Sequence, residues 1–303
     1  MIYTMTLNPS IDYIVRVDSL EIGSVNRMTS DAKFPGGKGI NVSRILKRID
    51  AKSTALGFLG GFTGKFIEDC LNEEEISTNF TTIQSDTRIN IKLKAGEETE
   101  INGQGPVLTD EEISELKASL SKVGKGDIVV LAGSLPAGLS QGFYQELIEI
   151  IKDKEADFVI DTTGADLLAA LPKKPLLVKP NNHELAELYH TTFNGLDDII
   201  TYGKKMLADG AQNVIISMAG DGALLFTQQG VYQTNVLKRE LKNSVGAGDS
   251  MIAGFIGEYS KTKNPVESFK WGVACGSATA FSDDLATGEF IQELLPEVKI
   301  TKL

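Results

Sequence analysis

Residues 127–164 read DIVVLAGSLPAGLSQGFYQELIEIIKDKEADFVIDTTG. A short apolar run (127–133) is followed by Tyr144, Leu147, Ile148 and Ile151 at helical spacing, then by a second apolar run (156–164). Neither run alternates with polar residues as a half-solvated strand would, so each strand is expected to be covered on both faces. Strand, amphipathic helix and buried strand in succession make one unit of a parallel sheet. The same pattern continues in "PLLVKPN" (175–181) and "NVIISMAG" (213–220), while Thr109 and Glu112 form a capping box ahead of Ile113, Leu116 and Leu120. "SMAGDGALLF" (217–226) reads as strand, tight turn, strand.

Two stretches break this rhythm. Residues 11–35 alternate Tyr13, Val15 and Val17 with Ile14, Arg16 and Asp18, and residues 87–103 alternate Ile89, Ile91 and Leu93 with polar side chains. Period-two patterning without a helix predicts β-excursions from the main sheet, placed as a small lid over a site. No linker, repeat or low-complexity tract divides the chain, so residues 1–303 are read as one domain carrying that lid.

Bulk composition narrows the chemistry. The chain has 303 residues, 42% of them hydrophobic, enough to bury a full core. Its formal charge of −11 disfavours nucleic acid or an anionic membrane as partner, since both need a basic face. No run of roughly 18 apolar residues occurs. The start MIYTMTLNPS enters a strand directly, without the basic region of a signal peptide, and a cytoplasmic protein is expected. Cys70 and Cys275 lie far apart in apolar helical patterns and read as free thiols. With only two histidines, acid–base chemistry falls to carboxylates.

The glycine-rich stretches are informative partly by what they are not. "GGFTGK" (60–65) has Leu59 and Phe66 where a P-loop needs Gly and Ser or Thr; "PGGKGIN" (35–41) has Ala32 and Gly39 at those places. "VGAGDSM" has Met251 where a dinucleotide fingerprint needs its third glycine. Yet "GGKGIN" opens a helix with an apolar face of Val42, Ile45, Leu46 and Ile49, directing N–H groups and the helix dipole at Gly36, Gly37, Lys38 and Asn41. "SVGAGDSM" (244–251) also opens a helix. Asp249 is a natural N-cap there, and the run Gly246, Ala247, Gly248 can turn successive N–H groups toward one anion. An ionised aspartate beside such a nest is also a candidate general base for phosphoryl transfer. Asp12, in "NPSID" after the first strand, is a turn carboxylate or a ligand for hydroxyls; Arg27 and Arg88, both in the lid stretches, are surface cations or a phosphate fork. Asn181 and Glu184 read as N-cap and N3 of a helix, or as hard oxygen ligands for Mg²⁺.

Together, "PGGKGINVSR", "NSVGAGDSMIAGF" and "NNHE" (181–184), in this order and spacing, resemble the signatures of the PfkB (ribokinase-like) sugar kinase family. "TLNPSIDYIV", "DTRINIKL" and "ETEINGQGP" extend the likeness over essentially the whole chain, toward the members that act on ketohexose phosphates. The resemblance implies a three-layer α/β/α sandwich with a mostly parallel central sheet and a β-lid that often mediates homodimers. It also implies ATP- and Mg²⁺-dependent phosphorylation of a sugar phosphate, with fructose 1-phosphate at its C6 hydroxyl expected and tagatose 6-phosphate or fructose 6-phosphate as alternatives. Asp249 would be the base and residues 246–248 the anion hole. Asp12, Gly36, Gly37, Lys38, Asn41, Asn90 and Ser134 would hold the sugar, and Arg27 and Arg88 its phosphate. Lys179, Asn181, Ser217, Gly220 and Gly222 would face the nucleotide, and Glu184 with Asn181 would govern Mg²⁺, directly or through water. Asn243 departs from the aspartate common in ribokinases and nucleoside kinases. A non-catalytic sensor of sugar phosphates on the same fold is the rival from another class.

Overall fold

The computed structural model describes every residue except Gln141 and, for its side chain, Glu97. The chain begins with β1 (Ile2–Thr6), β2 (Ser10–Arg16), β3 (Ser30–Gly36), α1 (Lys38–Arg48), β4 (Ser53–Gly60) and α2 (Gly61–Glu73). Short β5 (Ser77–Thr78) and β6 (Thr81–Ile83) lead into β7 (Arg88–Ala95), β8 (Glu97–Asn102) and α3 (Asp110–Ser119). Next come β9 (Ile128–Ala132), α4 (Phe143–Asp153), β10 (Asp157–Asp161), α5 (Gly164–Ala170), β11 (Leu177–Val178), α6 (Asn182–Leu188) and α7 (Leu196–Ala208). The chain ends through β12 (Val214–Ser217), β13 (Ala223–Thr227), β14 (Gly230–Thr234), α8 (Ala247–Thr262), α9 (Pro265–Ala280), α10 (Gly288–Leu294) and β15 (Ile300–Lys302).

The main sheet runs β15-β14-β13-β12-β11-β10-β9-β1-β4-β5, with β6 also on β4. From β5 to β12 every pairing is parallel, and only the β12–β13–β14–β15 end is antiparallel. Helices cover both faces, as the uninterrupted apolar strands require. Alternate residues of β9 point to opposite layers: Val129 and Leu131 pack with α3, α4 and α7, while Ile128 and Val130 pack with α1, α8 and α9. Fully buried Phe158 and Phe255 anchor these two layers, each burial contributing roughly 2–3 kcal/mol. The three-layer sandwich is thus observed. Strand β11 is shorter than the run 175–181 suggested, because Pro175 and Pro180 bracket it and neither has an N–H for the ladder. Pairing resumes at a bridge between Asn181 and Ser217.

A second, four-stranded sheet, β3-β2-β7-β8, is built from the two stretches of period-two patterning. Register pairs Ser10 with Arg88 and Asp12 with Asn90, so these four side chains share one face. Ile89, Ile91 and Ile101 fall on the other, and Ile89 and Ile101 are exposed there. Thr109 and Glu112 form the capping box of α3. Both cysteines are free, Cys275 buried and Cys70 half-buried. Among the described residues no helix is long and apolar enough to cross a membrane.

Helix α8, which carries Asp249, is held in place mainly by α9. The two helices approach so closely that a Cβ added at Gly254 would lie 2.5 Å from the Trp271 carbonyl oxygen and 2.8 Å from Cys275 Sγ. Helix propensity alone makes Gly254→Ala a gain of about 1 kcal/mol. Overpacking costs about 1–3 kcal/mol, and a 2.5 Å approach to a fixed carbonyl oxygen lies at the upper end of that range, which outweighs the gain. Gly254→Ala should therefore unfold at lower urea concentration than the native chain; an unchanged or raised midpoint would contradict this packing.

Candidate active site

A cavity of about 440 Å³ opens at the C-terminal edge of the parallel strands, between them and the lid. Strand ends β1, β9 and β10 supply Thr6, Gly133 and Asp161; the lid supplies Asp12, Arg88 and Asn90. The N-termini of α1 and α8 complete it. Ligand sites gather at this edge of an open α/β sheet because strand-to-helix turns leave unpaired N–H groups there.

The start of α8 corrects one expectation. Asp249 is not the N-cap; that position is taken by Gly246, whose φ of 78° is left-handed and suits glycine. Ala247 N–H turns back to the Ser244 carbonyl at 3.3 Å, and Ser250 N–H begins the helical ladder on Gly246. The N–H groups of Gly246, Gly248 and Asp249 have no acceptor among the described residues, so the nest is Gly246, Gly248 and Asp249 rather than the run 246–248. Freed from capping, the Asp249 carboxylate faces the cavity. Only 6% of the residue is exposed, and Oδ2 accepts from Asn41 Nδ2–H at 2.8 Å. Burial pushes its pKa up to about 6, and the charge of Asp161 adds to the rise; the Asn41 bond, Lys38 and Lys179 oppose it.

Lys38 begins α1 and reaches across to Asp161, Nζ to Oδ2 at 2.7 Å, while Lys179 Nζ lies 3.8 Å from Oδ1. Burial would raise the Asp161 carboxyl, but the charges of Lys179 and Lys38 outweigh it and hold it below the usual range.

On the lid side, Asp12 Oδ1 accepts from Ser10 Oγ–H and from Asn90 Nδ2–H, and Gly36 packs against its carboxylate. Arg88 donates Nε–H and Nη2–H to the Asn8 carbonyl and Nη1–H to the Gly103 carbonyl. Three of its five N–H groups are thus engaged, which fixes the guanidinium and leaves two for a ligand. Asn8 Nδ2–H reaches Ser134 Oγ at 3.4 Å. Arg27 stands apart: it is exposed in the β2–β3 connection and lines no part of the cavity, so one chain does not form the expected arginine pair.

The residues expected to face a nucleotide lie beyond Lys179. Asn181 and Ser217 are bridged, and Gly220 and Gly222 belong to the turn between β12 and β13; none of the four lines the main cavity. Asn181 caps α6: its Oδ1 accepts from Glu184 N–H, and Glu184 Oε2 accepts from Asn181 N–H, both at 2.8 Å. The capping reading is therefore realised, leaving Glu184 Oε1 for another partner.

The structure also brings in residues that sequence reasoning passed over. Thr6, Asn8, Ser10, Gly133 and Asp161 line the cavity. Thr6 Oγ1 and Asn8 Oδ1 are buried without a hydrogen-bond partner among the described residues, Thr6 Oγ1 against Gly39 and Asn8 Oδ1 against Gly105. The missed signal was the polar residue closing each apolar strand, Thr6 in "MIYTMT" and Asp161 in "DFVID".

A sequence model described as the pfkB family of carbohydrate kinases matches residues 5–289. The chain is 54% identical over 303 residues to a 1-phosphofructokinase of Bacillus subtilis, covering all of both proteins. It is 36% identical over 304 residues to a D-tagatose-1-phosphate kinase of Bacillus licheniformis, again covering all of both. Its fold superposes with a TM-score of 0.93 on phosphofructokinase-2 from Escherichia coli in complex with substrates and products, at 28% identity and covering 98% of each chain.

Asp249 should titrate far above an ordinary aspartate. Its side-chain carboxyl resonance, followed by carbon NMR, is expected to move with a midpoint near pH 6. Asn41→Ala removes a bond to the charged form and should raise that midpoint; a midpoint near 4 in the native protein would contradict the burial argument.

Proposed function

The chain belongs to the PfkB family of carbohydrate kinases, and we propose that it transfers the γ-phosphoryl group of ATP to the C6 hydroxyl of fructose 1-phosphate. The products are fructose 1,6-bisphosphate and ADP. The observation that carries this reading is one cavity holding a desolvated aspartate beside unpaired helix N–H groups and a half-anchored arginine on its lid wall. The relatives named for ketose 1-phosphates favour a phosphate on C1 over one on C6.

Arg88 takes the C1 phosphate with its two free N–H groups, and Asp12, Asn90 and Asn41 hold ring hydroxyls. Gly36 and Gly37 let the sugar approach the backbone, and Ser134 flanks the phosphate end. The C6 oxygen attacks the γ-phosphorus as its proton passes to Asp249 Oδ, and the bond to the β–γ bridging oxygen breaks, leaving with ADP. Charge on the transferring group meets the N–H groups of Gly246, Gly248 and Asp249, already oriented before reaction. Holding both reactants in line supplies much of the acceleration. Lys179, Asn181, Ser217, Gly220 and Gly222 form the nucleotide side.

Mg²⁺ suits this site as a partner of the ATP phosphates rather than as an ion in a protein cage. Among the described residues no group of three or more His, Cys, Asp or Glu side chains could hold a metal. Glu184 Oε1, with Asn181 beside it, fits a contact through water. When bound, the ion neutralises charge on the phosphates.

Retention of the aspartate and of the glycines around it favours an enzyme over a sensor. The decisive assay supplies Mg-ATP with fructose 1-phosphate, tagatose 6-phosphate or fructose 6-phosphate and identifies products. Fructose 1-phosphate is expected to give the highest kcat/KM, and Asp249→Asn to lower turnover by a factor on the order of 10² or more. Equal turnover by Asp249→Asn would defeat the assignment of the base.

The outer lid surface supports a homodimer. Ile22 is 95% and Val25 89% exposed, with Leu20, Met28, Ile89 and Ile101 also bare. Leu20, Ile22, Val25 and Met28 lie in the β2–β3 connection and Ile89 and Ile101 on the sheet's outer face; apolar side chains exposed on one lid call for a cover, and a second lid supplies a self-complementary one. This is also the arrangement in which Arg27, stranded in its own chain, could meet a substrate phosphate. Sedimentation should give a dimer that Ile22→Asp/Val25→Asp converts to monomer; a native monomer at micromolar concentration would refute it.

A further inference from the structure

Asp161 takes no part in the steps above, yet among the described residues it is the carboxylate of the cavity that pairs with two cations. It closes β10, is 7% exposed, and draws in two lysines from separate elements. Lys38 sits at the first position of α1, where a cation opposes the helix dipole, so helix stability does not favour a lysine there. Lys179 is itself only 7% exposed, and its ammonium lies against the start of α8: a Cβ added to Gly248 would meet Nζ at 2.9 Å. Among the described residues neither lysine has another salt-bridge partner.

We propose that Asp161 is a positioning residue for phosphoryl transfer: by bridging Lys38 and Lys179 it holds the Lys179 ammonium against the start of α8 and the Lys38 ammonium in the same cavity, where the transferred phosphoryl group must lie. The inference rests on the kinase reading and deepens it. A lysine head on a four-carbon stem has many positions open to it, and a fixed carboxylate removes most of them. Charge already in place needs no reorganisation when the transition state forms. The groups facing Asp249 are Asp161 from β10, Lys38 and Asn41 from α1, and Lys179 from beyond β11. Asp161 therefore acts on the base as well as on the lysines.

Asp161→Asn keeps the shape and removes the charge. It should lower kcat by a factor on the order of 10² while KM for fructose 1-phosphate changes less than about threefold. The acid limb of kcat should move to lower pH by about half a unit or more, because a negative neighbour of Asp249 has gone. The Asn variant strands the buried Lys179, so the same change is also made in the Lys38→Met/Lys179→Met background, where the paired charges are removed together. There the added loss in kcat should shrink below about threefold, since nothing remains to be positioned. A kcat within about threefold of native, an unmoved limb, or an undiminished loss in the lysine-free background would each overturn the proposal. Native protein that phosphorylates none of the ketohexose phosphates would instead defeat the kinase reading, and this inference with it.

Discussion

Everything in the site depends on a carboxylate kept out of water at the start of a helix. A buried aspartate resists ionisation, and only the Asn41 bond and the charges of Lys38 and Lys179 keep its pKa from rising above about 6. Asn41 and Lys38 come from α1, Lys179 from the passage after β11 and Asp249 itself from α8, so the chemistry needs several strand-to-helix passages of the parallel sheet to meet at one edge. The close packing of α8 on α9 fixes the aspartate's own helix, and the turn at Gly246 aims it inward rather than across the helix end.

The constraint also explains the division of labour around the cavity. The lid contributes neutral or anchored polar groups, Ser10, Asn90 and an Arg88 whose guanidinium is already tied to two carbonyls. The sheet edge contributes Lys38 and Lys179 and the carboxylate that pairs with both. In the proposed mechanism the lid wall meets the sugar phosphate and the start of α8 meets the transferring phosphoryl group, the arrangement expected of an enzyme that brings two reactants together.

Much of the fold was legible because burial writes itself into sequence. The runs at 127–133 and 156–164 became β9 and β10, and the alternating stretches became the lid strands. The capping boxes at Thr109 and Asn181 were visible from spacing alone. What spacing could not reveal was which groups meet across the fold. Arg27 and Arg88 look alike in sequence, yet only Arg88 reaches the cavity, because β7 places it beside Ser10 whereas Arg27 lies in an exposed connection. Asp249 looks like a helix cap until the preceding turn takes that position. Asp161 ends a strand like any polar residue, and its importance lies in two lysines 123 and 18 positions away in sequence.

The most direct measurement of the central claim is the dependence of kcat on pH with Mg-ATP and fructose 1-phosphate both saturating. A buried Asp249 acting as base predicts a single acid limb, half-maximal near pH 6, with turnover rising to a plateau above it. Turnover that stays level down to pH 4.5 would contradict the account, because a base desolvated as this one is cannot stay ionised there.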